Sequence, residues 1–230
     1  MQFSSPTLSV VVPTLDEVEA LPASLAAARQ PGVHEVIVVD GGSRDGTLAV
    51  ARARADRVLE APRGRARQMN AGAAAARGDV LLFLHADTRV PAGYARAVAR
   101  ALADPAVVGG RFDVRLDAAG LAYRALGRLI SLRSRLTRVA TGDQAIFVRR
   151  AVFERVGGYP LVPLMEDVAL SRAMKRVGPI ACLRDTVTTS ARRWQRHGLA
   201  RTVVLMWALR AAYYAGVPPA RLARVYPDAR

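Results

Sequence analysis

Leu8-Ser-Val-Val-Val-Pro-Thr-Leu-Asp-Glu17, Glu35-Val-Ile-Val-Val-Asp-Gly-Gly-Ser-Arg-Asp-Gly-Thr47 and Val80-Leu-Leu-Phe-Leu-His-Ala-Asp-Thr88 share one pattern: an apolar run followed by a polar, acidic loop. A run that is apolar on both faces marks a strand covered on both sides, as in a parallel sheet, rather than a half-exposed antiparallel one. Helix-compatible stretches lie between them, at about Glu17 to Arg29, Thr47 to Ala55 and Arg65 to Arg77. This β-α-β-α alternation predicts an α/β fold with a mostly parallel central sheet flanked by helices, Rossmann-like in its winding. Ligands of such sheets bind beyond the carboxyl ends of the strands, so the chemistry is expected in the three acidic loops. Pro13 is expected to end the first strand.

Farther along, Val107 to Arg115 and Ala145 to Val148 read as strands, and Leu121 to Arg138, Glu166 to Val177 and Gly198 to Ala215 as helices. No repeat, low-complexity segment or long linker divides the 230 residues, 51% of them hydrophobic, so a single domain over 1–230 with C-terminal helices is expected. Met1 to Thr7 carries neither a basic stretch nor a long apolar run, and the single cysteine, Cys182, excludes an internal disulfide. A reducing cytoplasm is the expected setting.

Lys and Arg number 34 against 19 Asp and Glu, a net charge of +15, and only Lys175 is a lysine. Guanidinium forks match phosphates, so a nucleotide diphosphate, an anionic membrane surface or nucleic acid would each suit this excess, as would a plain compositional bias toward Ala, Arg and Val. Aromatic residues make up only 6% and no recognition motif is present, which argues against nucleic acid. Between Arg201 and Arg210 the apolar run is too short to span a bilayer, which needs about 20 residues. With Trp207, Tyr213 and Tyr214, that basic helix suits either packing on the domain or peripheral attachment to the inner face of a membrane.

Three constellations carry chemistry. Asp40, at a strand end and followed by Gly41 and Gly42, reads either as a turn cap or as a carboxylate for a base or ribose. Asp87, directly after an apolar strand, suits a hard cation such as Mn2+ or Mg2+ on phosphate oxygens, with a helix cap as the structural alternative; His85 reads either as an additional nitrogen ligand or as a hydrogen-bonding bystander, the commoner role of a lone histidine. Glu166 and Asp167 open a helix, where carboxylates complement the dipole or deprotonate a hydroxyl.

Taken in order, Val-Pro-Thr-Leu-Asp-Glu, Val-Asp-Gly-Gly-Ser-Arg-Asp-Gly-Thr, Leu-His-Ala-Asp-Thr and Met-Glu-Asp-Val resemble the family 2 glycosyltransferases, which share the GT-A fold. The resemblance implies transfer of a sugar from a nucleoside-diphosphate sugar, with UDP the default nucleotide, by an inverting, metal-dependent displacement. It implies that Pro13, Thr14, Leu15, Glu17, Asp40, Gly41, Arg65, Asn70, His85 and Ala86 surround the nucleotide sugar, that Asp87 holds the metal, and that Asp167, beside Glu166, is the base. Gly142, Asp143 and Gln144, with Arg193 and Trp194 of a segment resembling Q-x-x-R-W, would lie on the acceptor side, a purely structural role being the alternative for Trp194. Residues 1–110 would then be the donor-binding half and 111–230 the acceptor-binding half. His85 stands where relatives carry the first aspartate of a D-x-D-like motif, and Gly41 where many carry a second aspartate. The combination with Thr-Gly-Asp-Gln also resembles a small bacterial branch of the family associated with radical-SAM proteins and arsenosugar biosynthesis, which implies a small-molecule acceptor; a lipid is the other acceptor considered. The rival readings are a nucleotidyltransferase, disfavoured because the first loop is not Gly-rich, and a basic nucleic-acid-binding protein.

Overall fold

The computed structural model describes residues 6–226, so Met1 to Ser5 of the N-terminal stretch lie outside the described residues. All three apolar runs are strands. Leu8–Thr14 (β1) is buried at every position and pairs in parallel with Val33–Asp40 (β2). The strand does not stop at Pro13, which aligns with Val39; the missing N–H is tolerated because only Thr14 follows before the loop. Leu21–Ala28 (α1) connects the two. It starts later than Glu17 because Pro22 sits in its first turn, where a missing N–H is harmless.

Thr47–Arg54 (α2) leads to a short strand, Arg57–Glu60 (β3), parallel to β2, and Arg65–Ala75 (α3) leads to Val80–Phe83 (β4), parallel to β1 on its other side. Thr88–Arg89 (β5) and Tyr94–Ala101 (α4) follow, then Gly109–Asp117 (β6) and Leu121–Thr137 (α5). The chain finishes with Ile146–Arg149 (β7), Arg150–Arg155 (α6), Glu166–Val177 (α7), Ile180–Ser190 (β8), Arg192–His197 (α8), Leu199–Tyr214 (α9) and Pro219–Val225 (α10). The sheet order is β3-β2-β1-β4-β7-β6-β8-β5. Most of its pairing is parallel, as expected, including β6 with β8; the sheet is mixed in that β7 runs antiparallel to both β4 and β6, and β5 antiparallel to β8.

Alternation along β1 assigns its two faces. Val10 and Val12 join Leu21, Leu25, Tyr94 and Val98 on the side of α1 and α4, whereas Val11 joins Met69, Ala73, Phe153 and Leu170 on the side of α3, α6 and α7. Close approach of α3 depends on Gly72, where a Cβ would overlap Val11. A smaller apolar cluster at the end of the chain seats Leu209 of α9 and Leu222 of α10 on Val139, Leu164 and Val168. No helix among the described residues is long and apolar enough to cross a membrane.

Candidate active site

The antiparallel entry of β7 builds the site. Because Phe83 pairs with Ile146, the segment leaving β4 (residues 84–87) runs beside the segment entering β7 (residues 142–145). His85 is thereby pressed against Gly142, where a Cβ would overlap the His85 imidazole. The N-terminus of α7 closes on the same point: Asp167 Oδ2 accepts the Gly142 N–H at 2.8 Å, and its Oδ1 accepts the Val168 N–H at 2.7 Å. At the start of α3, Arg65 Nε meets Glu166 Oε1 at 2.8 Å. Finally, the Ser190 N–H at the end of β8 reaches the Asp87 carbonyl at 3.2 Å, which sets Arg192 over the carboxylates: its Nη2 lies 2.6 Å from Glu17 Oε2 and 3.4 Å from Asp87 Oδ2.

Electrostatics separate the two neighbouring acids. Burial pushes the Glu166 carboxyl above its usual range against the pull of Arg65, and its Oε2 has no hydrogen-bond partner among the described residues. Burial alone would weaken the Arg65 cation, but Glu166 and Asp167 outweigh it and hold the guanidinium charged. Burial, and then Arg65, depress the His85 pKa, so the imidazole is neutral near pH 7 although Asp87, Asp143 and Asp167 act the other way. A neutral imidazole retains a lone pair for a ligand. Met165, which precedes the pair, holds a left-handed backbone conformation (φ 67°), a strained arrangement of the kind concentrated at functional sites.

These groups line one cleft of about 1270 Å³. Of the residues singled out from the sequence, Pro13, Glu17, Arg65, His85, Ala86, Asp87, Gly142, Asp143, Glu166, Asp167, Arg193 and Trp194 face it. Its far end is apolar, with Leu126 and Leu129 of α5, Leu161, and Val204 and Trp207 of α9. Six others serve the scaffold beneath. Thr14 and Leu15 are buried, and Asp40, 2% exposed, accepts the N–H groups of Gly42 and Ser43 at 2.9 and 2.8 Å, the behaviour of a turn cap. Gly41 packs on Gln68, Asn70 exchanges two hydrogen bonds with the Tyr159 backbone, and Gln144 is buried against Ser134 and Phe112.

Several lining residues escaped the sequence reading. Gln68 donates from Nε2 to the carbonyls of Thr14 and Val39 and so ties together the ends of β1 and β2. Arg192 and Arg133 also face the cleft, as does Tyr226, whose ring lies 5.0 Å from the Arg193 guanidinium. The S-A-R-R-W run pointed to the neighbourhood of Arg192, but nothing in the order of residues ranks one arginine above the others in so arginine-rich a chain.

The family model described as "Glycosyl transferase family 2" matches residues 9–157, more than half of the chain and all three acidic loops. The chain belongs to glycosyl transferase family 2. It is 34% identical over 174 residues to a PGL/p-HBAD biosynthesis glycosyltransferase of Mycobacterium bovis (strain BCG / Pasteur 1173P2), covering 69% of this chain and 65% of that protein. It is also 34% identical over 157 residues to an undecaprenyl-phosphate 4-deoxy-4-formamido-L-arabinose transferase of Pseudomonas paraeruginosa (strain DSM 24068 / PA7), covering 62% of this chain and 46% of that protein. Among solved structures, a mannosyltransferase from Pyrobaculum calidifontis in complex with GDP-Man and Mn2+ superposes with a TM-score of 0.66 at 22% identity, over 90% of this chain and 61% of that one. Glucosyl-3-phosphoglycerate synthase from Mycobacterium tuberculosis, in complex with Mn2+, UDP and glucosyl-3-phosphoglycerate, gives 0.56 at 22% identity, over 79% of this chain and 70% of that one. The fold is therefore GT-A; these comparisons reach the family and not the narrower branch.

For this family 2 member, Gly142→Ala tests the junction. The added methyl has to displace either His85 or the turn that holds Asp167, so a loss of about 1–3 kcal/mol is expected, as for overpacked cores. That corresponds to a melting temperature roughly 2–12 °C lower by scanning fluorimetry. An unchanged melting temperature would show that the two segments are not in contact.

Proposed function

We propose that the protein transfers a glycosyl group from a nucleoside-diphosphate sugar, with UDP the default nucleotide, to an acceptor oxygen with inversion of configuration. The observation that carries this is the placing of Asp167, held by the Gly142 N–H, in the same cleft as Asp87. Asp167 is the base: its carboxylate is anchored by backbone donors and takes the proton as the acceptor oxygen attacks the anomeric carbon. Glu166 is tied to Arg65 and serves to hold that cation at the donor end rather than to move a proton. Arg192, beside Glu17 and Asp87, would meet the diphosphate. The 1–110 half is read as the donor side and the 111–230 half as the acceptor side.

The complexes of the two structural neighbours with GDP-Man or UDP and Mn2+ support the donor class and a divalent metal. Among the described residues no group of three or more His, Cys, Asp or Glu side chains is arranged to hold an ion by itself. A single carboxylate, Asp87, with neutral His85 nearby is still a fitting donor set, because Mg2+ and Mn2+ sites of this type take most ligands from phosphate oxygens and water. The buried Asp143 Oδ1, without a hydrogen-bond partner among the described residues, adds an acceptor facing the same cleft. Bound at Asp87, the metal would neutralise charge on the leaving diphosphate. The compartment proposed is the cytoplasm, at the inner face of a membrane.

Thermal melting with a panel of nucleoside diphosphates and sugar nucleotides, with and without Mn2+ or Mg2+, tests the donor. A ligand at 100 times its dissociation constant adds about 2.7 kcal/mol to folding stability. Stabilisation by one nucleotide and its sugar conjugates is expected; if no nucleotide stabilises the folded protein with either metal, the proposal fails.

A further inference from the structure

Among the described residues, every large hydrophobic side chain left strongly exposed belongs to the second half of the chain: Leu121, Leu129, Leu132 and Leu136 of α5, Leu161, Val204, Trp207 and Tyr214 of α9, and Val225 of α10. None comes from residues 6–110. Such clustering is unlike the scattered exposure of an ordinary surface and marks a docking face.

The faces involved are the outer ones. At about 100° per residue, the four exposed leucines of α5 fall within roughly 80° of arc. Of the four buried residues of that helix, Gly127, Ser131 and Ser134 project from the opposite side and Leu126 from the flank between. On α9, Val204, Trp207 and Tyr214 form a similar stripe away from buried Thr202 and Leu209. Leu132 at 52%, Leu136 at 75%, Val204 at 68% and Trp207 at 68% exposure make no use of the core. Leu129, Val204 and Trp207 also line the apolar end of the cleft, so the stripes and the cleft mouth form one continuous surface.

Charge decides what covers it. The 17 residues of α5 include four arginines and no acid, and between Asp185 and Asp228 there are seven arginines and no acid. Arg128 lies beside the leucine stripe, and Arg133 and Arg210 line the cleft, each with a buried Nε that has no hydrogen-bond partner among the described residues. Two copies of such a face would repel each other. Apolar stripes edged with arginine, with a Trp among them, match instead the interfacial layer and headgroups of an anionic bilayer.

We propose that the α5/α9 face docks on an anionic lipid bilayer, with the leucine stripe and Trp207 in the interfacial layer and the apolar end of the cleft opening on to the membrane. On the glycosyl-transfer reading above, the acceptor is then lipid-borne: its chain lies along Leu129, Leu161 and Trp207, and its polar end reaches Asp167. This favours the lipid over the free small-molecule acceptor.

The test is flotation of the full chain with phosphatidylcholine vesicles, with and without phosphatidylglycerol, at low and high salt, for wild type and for L132E/L136E. Neither leucine lines the cleft. Wild type is expected to float with anionic vesicles and to be released by salt, and the double variant to partition about tenfold less or weaker still. The variant should keep its circular dichroism and the nucleotide-induced melting shift. Failure of folded wild type to float with anionic vesicles at low salt overturns the proposal, as does equal flotation with neutral vesicles or flotation unaffected by L132E/L136E. A wild-type dimer in sedimentation that the variant converts to monomer also overturns it and assigns the face to self-association. If flotation fails while nucleotide still raises the melting temperature, the docking surface is wrong and the glycosyl-transfer reading stands; if flotation succeeds and no nucleotide binds, the reverse holds.

Discussion

Asp167→Asn is expected to lower kcat by about 100-fold to 10,000-fold, the usual contribution of a positioned base, while the melting shift induced by nucleotide is retained. The reason lies in what the substitution keeps. Asn has the same shape, and its carbonyl can still accept one of the two backbone N–H groups that now hold Asp167, Gly142 at 2.8 Å or Val168 at 2.7 Å. It cannot accept both, because its NH2 faces whichever donor remains, so a modest stability loss of about 1–3 kcal/mol accompanies the change. The donor end of the cleft, with Glu17, Arg192 and Asp87, is untouched. A proton acceptor has been removed and the binding machinery left in place, so kcat should fall with little change in donor affinity. Glu166→Gln is the informative companion. Its effect runs through Arg65, which loses its ion pair, so it should weaken donor binding more than it slows turnover. A kcat within threefold of wild type in Asp167→Asn, or a larger fall in Glu166→Gln, would assign the base elsewhere.

The parts of the molecule that could be read from the order of residues are those in which one physical requirement acts alone. β1, β2 and β4 are covered on both faces, so their apolar runs needed no context, and α7 begins and ends where its acidic first turn and Gly178 place it. β8 was invisible for the opposite reason: its burial is uneven, Arg184 and Asp185 interrupt it, and its register with β6 shifts between Arg111 and Asp113. The mixed direction of the sheet depends on β7, four residues whose pairing with β4 no local pattern dictates. The same division holds at the site. Asp87 and Asp167 stand out in the sequence because a carboxylate after a buried strand or at a helix start is conspicuous. Asp40 was equally conspicuous, but two N–H groups of its own turn take up the carboxylate. Asn70 reaches away from the cleft to brace the Tyr159 turn. Arg192 stayed hidden because β8 delivers it, and only the tertiary pairing of Ser190 with Asp87 shows that it crosses to the carboxylates.

Asp87→Ala should separate the metal's role from that of the fold. The side chain is about a quarter exposed (26%), and its contacts with Arg192 at 3.4 Å and Thr88 at 3.5 Å are long. A partly exposed ion pair of that kind contributes about 0–1 kcal/mol, so the unliganded melting temperature should hardly move. Arg192 keeps its closer partner, Glu17, at 2.6 Å, which further limits any structural effect. Turnover is a different matter. Charge neutralisation at a leaving diphosphate is worth several kcal/mol, and a loss of about 3 kcal/mol corresponds to more than about 100-fold in rate. The variant should therefore melt like wild type, lose the metal-dependent part of the nucleotide-induced shift, and turn over at least about 100-fold more slowly. Neutral His85 and Asp143 Oδ1, which has no hydrogen-bond partner among the described residues, are two further donors facing the cleft, and they predict what a negative result would look like. If Asp87→Ala retains a metal-dependent shift that His85→Ala abolishes, the ion is held by the imidazole and Asp87 serves only to seat Arg192. If neither variant alters a shift that needs no metal, Arg192 and Arg65 neutralise the diphosphate by themselves, and the proposed dependence on a divalent ion is wrong.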